Sequence, residues 1–467
     1  WSSCDWQRRA CEAARAAELA RQRAVAAEER RRREQTDREA RARWLAFERG
    51  LRTETVENIA DDNTDGEDLE ARRAAVTALG NHAGTVVVME PQTGKILTIV
   101  NQEWGIRKGF KPCSTIKLVT GIAGLNEGVI SQNGEIRPRP FPMDLTDALA
   151  FSNNGYFQRA GVNFGNEKMI AYARSLGLGE PTGINADGES AGKLPFGNGN
   201  PRIYSHGDDF EVTPLQLAVM VSAISNGGKI VVPQIPRASS ARNQKVGFRG
   251  QMRRQINFPS QSLQGVLPGM VGAVTYGTAR RSNGAELNVA GKTGSCIGQG
   301  SWVGLFASVA PIVNPQLAIV VVTRGQSERG KYASAIAGKI YQALSYRFKD
   351  ARRQLIAQTP LELVKPQPKV RPQDSALLDD GRDEDSDESD IAAAQKPQTG
   401  SKPPAKKQET GIVAVAPRNS IVAEKTESKP AAPPVLKTNS KIFDPVVIKY
   451  KRDVEPENDN SLPTRPR

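Results

Sequence analysis

The pattern of apolar and polar positions changes character three times along the 467-residue chain. In "EAARAAELARQRAVAAEERRRREQTDREARARWLAFERG" the apolar positions are mostly alanine, set among Arg and Glu, all good helix formers. No glycine precedes Gly50 and no proline precedes Pro91. This predicts one long exposed helix over 5–49, within a first region 1–60. No a/d heptad is sustained, so pairing as a coiled coil is the minor alternative. After an expected linker, 61–82, the stretch "GTVVVMEPQTGKILTIV" places two β-branched runs around a Pro/Gly turn, the signature of a hairpin. Helical periodicity follows from Ser114, then near 146–162, 166–176, 213–226 and 261–275. "NVAGKTG", "SWVGLFASVA" and "LAIVVVTRG" read as three strands with short connections, and a helix is expected from about 333 to 347. Strands at both ends of a segment with helices between them imply an α/β domain of the α+β type, an antiparallel sheet flanked by helices, over 83–350. The remainder, 351–467, turns to Pro, Lys, Ser and Gln with an acidic run "DDGRDEDSDESD" and few aromatics. It cannot bury enough apolar area to offset its ordering entropy and is expected to be disordered, with "KIFDPVVIKYKRD" as a candidate docking patch.

Composition narrows this picture only modestly. At 38% apolar and 6% aromatic the chain is lean for one packed throughout, as the two non-globular regions require. The net charge of +13 suits an anionic partner such as phospholipid or an acidic wall polymer, or a solvated basic surface. No basic aromatic platform is present, so no nucleic acid is expected as partner. No apolar run approaches the ~18 residues of a membrane helix. The chain opens on Trp1, which leaves room for a signal peptide or membrane anchor upstream. Cys4, Cys11, Cys113 and Cys296 lack CxxC spacing and are accompanied by two histidines, so neither a zinc site nor any cofactor is expected. Cys4 and Cys11 lie about two helical turns apart, too far to bridge each other; they read as unpaired thiols or as able to cross-link a neighbour. "FGNGNP" and "IGQGSWVG" neither follow a strand nor open a helix, so phosphate binding is not supported.

The candidate chemistry begins at "KPCSTIK", where Ser114 and Lys117 share a helix face and Pro112 sets the serine at a helix start. A serine hydroxyl is a weak nucleophile without a base in reach, and Lys117 supplies one. Burial or a second cation nearby would favour its neutral form. A Ser-His-Asp triad would have to use His82, in a turn, or His206, in the loop "YSHGDD", and both read as ordinary surface or turn residues. Downstream lie Ser152 and Asn154 in "FSNN", and Lys292, Thr293, Gly294 and Ser295 in "GKTGS".

The order Ser-x-x-Lys, Ser-x-Asn, Lys-Thr-Gly resembles that of penicillin-recognising serine enzymes. "TPLQLAVMVSAISNGG", "YGTA", "AGKTGS" and "WVGLFA" are similar to landmarks of penicillin-binding transpeptidase domains. "SNNGYFQRAGVNFG", "LGLGEPTGI" and "GESAGKLP" resemble the class B branch. The likeness covers about 83–350 and includes neither a glycosyltransferase domain nor the usual N-terminal pedestal. It implies a fold like that of penicillin-binding transpeptidases and serine β-lactamases, with Ser114 acylated, Lys117 as base, and Ser152 relaying a proton to the leaving amine. Asn154 would hold the substrate amide, and Lys292, Thr293 and Ser295 its terminal carboxylate. The resemblance assigns the oxyanion hole to the amides of Ser114 and Ser295. If both amides face one oxygen, their neighbours Cys113 and Cys296 lie close, and a similar pair occurs in some carbapenem-hydrolysing class A β-lactamases. A Cys113–Cys296 disulfide is therefore expected, with two buried thiols as the alternative.

The resemblance implies a peptidoglycan D,D-transpeptidase outside the cytoplasmic membrane, acting on stem peptides and inhibited by β-lactams. Divisome or elongation proteins would dock on the N-terminal helix or the tail. Alternatives are a D,D-carboxypeptidase, a serine β-lactamase using Glu180 or Glu189 to activate water, and a non-catalytic penicillin-binding scaffold or sensor.

Overall fold

The computed structural model describes residues 2–197, 199–237, 248–347 and 366–370, with backbone alone at 2–5 and 7. Helix α1 (Ser2–Ala60) is longer than its alanine-rich pattern suggests. Residues 8–47 are exposed, whereas Leu51 and Thr55 near its end are buried against the domain that follows. There Glu54 accepts a hydrogen bond from Trp104 Nε1 at 2.8 Å, and Glu48 accepts one from the amide of Gln326.

The stretch expected as a linker carries a helix, α2 (Leu69–Leu79), capped by Asp68. Its alanines 71, 75 and 78 and Leu79 are buried, a three-to-four-residue stripe. That stripe is short and built mainly from alanine, so it has little contrast in the sequence. Arg72, 4% exposed, ties the segment down: it pairs with Asp62 at 2.8 Å and Glu67 at 2.9 Å. Those carboxylates in turn accept the amides of Asn101 and Gln102 (Asp62) and of Ile99 (Glu67).

The hairpin strands are β1 (Ala83–Met89) and β2 (Ile96–Val100). Next come a 3-10 turn at Cys113–Ile116 and α3 (Lys117–Asn126), then α4 (Leu145–Phe151), α5 (Asn154–Phe164), α6 (Asn166–Ser175), α7 (Ile203–His206) and α8 (Pro214–Ser225). A small antiparallel pair, β3 (Lys229–Val232) and β4 (Gln251–Gln255), precedes α9 (Ser260–Gln264) and α10 (Leu267–Thr275). The chain closes the domain with β5 (Ala290–Gly298), β6 (Ser301–Ala310), β7 (Leu317–Gly325) and α11 (Gly330–Leu344).

The main sheet has the order β2-β1-β7-β6-β5, antiparallel throughout. The hairpin from the start of the domain thus pairs with β7 near its end, and β5 is left as an edge. In β7, Ile319 and Val321 join one core with α2 and α11, while Ala318, Val320 and Val322 join the other with α8. A strand covered on both faces has apolar residues at every position, which is why "LAIVVVTRG" shows no alternation.

Two expected helices are each divided. The 146–162 segment breaks between α4 and α5, where Ser152 adopts φ 63° and ψ 35°. The 261–275 segment breaks after Gln264, and Pro268 opens the second piece. Of the tail expected to be disordered, residues 366–370 are described and pack on α4; the rest of 351–467, including "KIFDPVVIKYKRD", lies outside the described residues. Among the described residues no helix is long and apolar enough to cross a membrane, and no His/Cys/Asp/Glu group is arranged to hold a metal ion.

Candidate active site

Three elements meet at one point. Pro112 and the positive φ of Cys113 (48°) start a tight 3-10 turn that runs directly into α3. Ser114 lies on this turn and Lys117 one turn on, both fully buried. Lys117 Nζ lies 2.9 Å from Ser114 Oγ, the contact that the three-residue spacing predicts.

The break between α4 and α5 supplies the second element. The left-handed conformation of Ser152 costs ~1 kcal/mol or more for a residue with a Cβ. It points both its hydroxyl and its carbonyl at Lys117: Nζ is 2.9 Å from Ser152 Oγ and 2.5 Å from Ser152 O. Asn153 caps α5 by accepting from Tyr156 N at 2.8 Å, and this start of the helix presents Asn154, whose Oδ1 is 2.7 Å from Lys117 Nζ. One amine therefore faces four oxygens.

The third element is the edge strand β5. Lys292, also fully buried, donates to Ser152 Oγ at 2.8 Å and to Thr293 O at 3.0 Å. Ser152 Oγ thus lies between two lysine nitrogens, a bridge along which a proton can pass from one side of the site to the other. Thr293 Oγ1 shares a 2.6 Å hydrogen bond with Thr278 Oγ1. Ser295 Oγ accepts from Gly330 N, at the start of α11, at 2.9 Å.

Strand and turn touch through their backbones. A Cβ placed on Gly294 would lie 3.1 Å from Cys113 Cβ and 3.4 Å from Ser114 N. Beside this contact Cys113 Sγ and Cys296 Sγ are at bonding distance, with Cα atoms 5.6 Å apart. Cys11 is an exposed free thiol, and the side chain of Cys4 lies outside the described residues. The ten residues of the three motifs and the cysteine pair therefore lie in or beside one cluster.

The two histidines divide. His82 is in its expected turn, with Nδ1 2.7 Å from Glu328 Oε1. His206, expected on the surface of a loop, is instead buried at 6% exposure at the end of α7, its Nδ1 2.7 Å from Ser205 Oγ. Burial pushes its pKa down to about 3, with the nearby cations Arg202 and Lys111 adding to the effect. It is held as a neutral imidazole beside the cluster. No pattern in "YSHGDD" signals this, because the burial comes from α3 and α5 packing over a four-residue helix. Thr278 was visible only as part of "YGTA", with no indication of what it would meet.

Glu180 and Glu189 are both engaged in structural roles. Glu180 pairs with Arg254 at 2.5 Å and, more distantly, with Arg253, while Glu189 accepts from the amides of Thr182 and Gly183 and from Thr182 Oγ1.

Residues 84–344, more than half of the chain, match the family model described as the penicillin binding protein transpeptidase domain. Among curated proteins the chain is similar to a probable peptidoglycan D,D-transpeptidase, PbpC, of Pseudomonas aeruginosa: 24% identical over 317 residues, covering 58% of this chain and 54% of that protein. It is also similar to penicillin-binding protein 2B of Streptococcus pneumoniae: 25% identical over 308 residues, covering 50% of this chain and 45% of that protein. The chain thus spans about half the length of these relatives. Among solved structures, penicillin-binding protein 3 of Mycobacterium tuberculosis complexed with aztreonam aligns with a TM-score of 0.52 at 20% identity, over 61% of this chain and 77% of that one. Penicillin-binding protein 2 of P. aeruginosa aligns with a TM-score of 0.51 at 21% identity, over 60% and 74%. The antiparallel sheet with helices on both faces is the fold these structures share with it, and the chain belongs to the penicillin-binding protein transpeptidase family.

Proposed function

We propose that the chain is a serine D,D-transpeptidase that cross-links peptidoglycan stem peptides outside the cytoplasmic membrane and is acylated by β-lactams at Ser114. The observation that carries this reading is the placement of one lysine nitrogen, Lys117 Nζ, 2.9 Å from both the Ser114 and Ser152 hydroxyls. Ser114 Oγ attacks the carbonyl of the penultimate D-alanine as its proton passes to Lys117 Nζ. The amides of Ser114 and Ser295 hold the oxyanion, an arrangement in which losing one donor costs ~10²- to 10³-fold in rate. The C–N bond then breaks, and the proton returns through Ser152 Oγ to the departing amine of D-alanine. An amine of a second stem peptide attacks the ester in the reverse sense and frees Ser114. Lys292, Thr293 and Ser295 take the substrate's terminal carboxylate, with Thr278 hydrogen-bonded to Thr293 beside them, and Asn154 takes its amide. The Cys113–Cys296 bridge braces the turn that carries Ser114 against the strand that carries Ser295.

A serine β-lactamase needs a carboxylate free to activate water for deacylation. Glu180 and Glu189 are occupied by arginines and by backbone amides, which favours a long-lived acyl-enzyme. Labelling with a fluorescent penicillin tests the assignment. The wild-type chain should hold one label per molecule for minutes or longer, and Ser114→Ala should hold none. Absence of label on folded wild-type protein would leave a binding scaffold, label lost within seconds a β-lactamase, and release of D-alanine to water without cross-linking a carboxypeptidase.

A further inference from the structure

Five residues of the tail, 366–370, return to the domain and land on α4. Pro366 is buried, and Val370 packs against the main core. The amides of Lys369 and Val370 donate to one oxygen of Asp147, Oδ2, at 2.7 and 2.8 Å. The other oxygen, Oδ1, accepts from Tyr276 OH at 2.7 Å. Asp147 is 1% exposed, so these donors stand in for water around a carboxylate that would otherwise be costly to bury. Lys369 Nζ also lies 2.7 Å from Asp144, the residue that caps α4.

Asp147 lies within one short helix of the catalytic cluster, on two routes. Along α4, the amides of Ser152 and Asn153 donate to the carbonyls of Leu149 and Ala148, so the helix fixes where the Ser152 hydroxyl stands. Through Tyr276 the chain continues to Gly277 and Thr278. Thr278 N donates to Ala150 O at 3.0 Å, and its hydroxyl meets Thr293. A Cβ on Gly277 would fall 2.1 Å from Ala150 O, so the contact between this turn and the end of α4 has no slack.

We propose that residues 366–370 form a strap, held by Asp147, that positions Ser152 for proton transfer; Asp147 is a positioning residue acting through α4 and Tyr276. The inference rests on the acylation chemistry proposed for Ser114, but its structural half can be read without that chemistry. Removing the strap's amides leaves Asp147 Oδ2 without two donors, so the carboxylate must turn toward water and draw α4 with it.

Val370→Pro in the full chain deletes one of these N–H groups and trims the Val370 contact with the core, while every residue of the domain itself stays unchanged. Saturation kinetics with a reporter penicillin should show the acylation rate constant reduced about three- to tenfold with the preceding binding constant unchanged. Asp147→Asn should behave alike, and the double variant should be no slower than the slower single one. Lys369→Ala, which keeps the amide and drops only the solvent-screened ion pair to Asp144, should acylate within about twofold of the wild type. In parallel, amide exchange at Ser152 and Asn153 should quicken in Val370→Pro. Wild-type acylation by Val370→Pro, additive slowing in the double variant, or unchanged exchange at these two amides would each overturn the strap. If the wild-type chain takes up no label, the chemistry fails, and the exchange measurement still decides whether the strap holds α4.

Discussion

Breaking the bridge between Cys113 and Cys296 is a perturbation whose size follows from the length of the loop it closes. The two residues are 183 positions apart, so the bond closes a loop spanning most of the fold. On the chain-entropy model a loop of that length restricts the unfolded state by ~5 kcal/mol, against ~2–4 kcal/mol commonly measured for native bridges. The total stability of a domain is ~5–15 kcal/mol, so the loss should be plain in a urea titration. Trp104 and Trp302 are both buried and give a fluorescence signal for unfolding. The comparison is between oxidised wild type, reduced wild type and Cys296→Ser, each read for unfolding midpoint and for acylation rate. Reduction should lower the midpoint by an amount equivalent to ~2–5 kcal/mol, and Cys296→Ser should match the reduced protein. Acylation should slow in both, because the turn at Cys113, already at φ 48°, loses the clamp that seats it against Gly294. Peptide mapping of the native domain completes the test. If Cys113 and Cys296 alkylate without reductant, or if reduction leaves the midpoint unchanged, the bracing argument is refuted.

Two further outcomes follow from the site. His206 is neutral in the folded chain down to about pH 3, whereas an unfolded histidine takes a proton near pH 6.5. Below pH 6.5 the unfolded state therefore binds more protons, and stability falls as pH is lowered: by pH 5 this one group costs about 2 kcal/mol. A His206→Gln variant should flatten the slope of the urea midpoint between pH 6.5 and 5, and an unaltered slope would assign it elsewhere. Gly294→Ala introduces a methyl group 3.1 Å from Cys113 Cβ and 3.3 Å from Pro112 O. Displacing the turn that carries Ser114 by a few tenths of an ångström should cut acylation about tenfold or more while leaving the fold intact; acylation at the wild-type rate would show that strand and turn are not in register as described.

Local interactions made much of this protein legible in its sequence. A helix needs only its own residues, so the alanine- and arginine-rich pattern is enough for α1, and three-residue spacing is enough to bring Lys117 to Ser114. β-branched runs and turn residues likewise give the strands and their antiparallel sense. Only the tertiary structure brings residues 114, 152 and 292 to one amine and one hydroxyl, because β5 reaches the site as the edge of a sheet whose opposite hairpin is 200 residues earlier in the chain. The left-handed break at Ser152, the burial of His206 and the docking of residues 366–370 on Asp147 were hidden for the same reason. Each is stabilised by partners distant in sequence, and a residue's own type and its near neighbours carry no record of which remote groups will satisfy its hydrogen bonds.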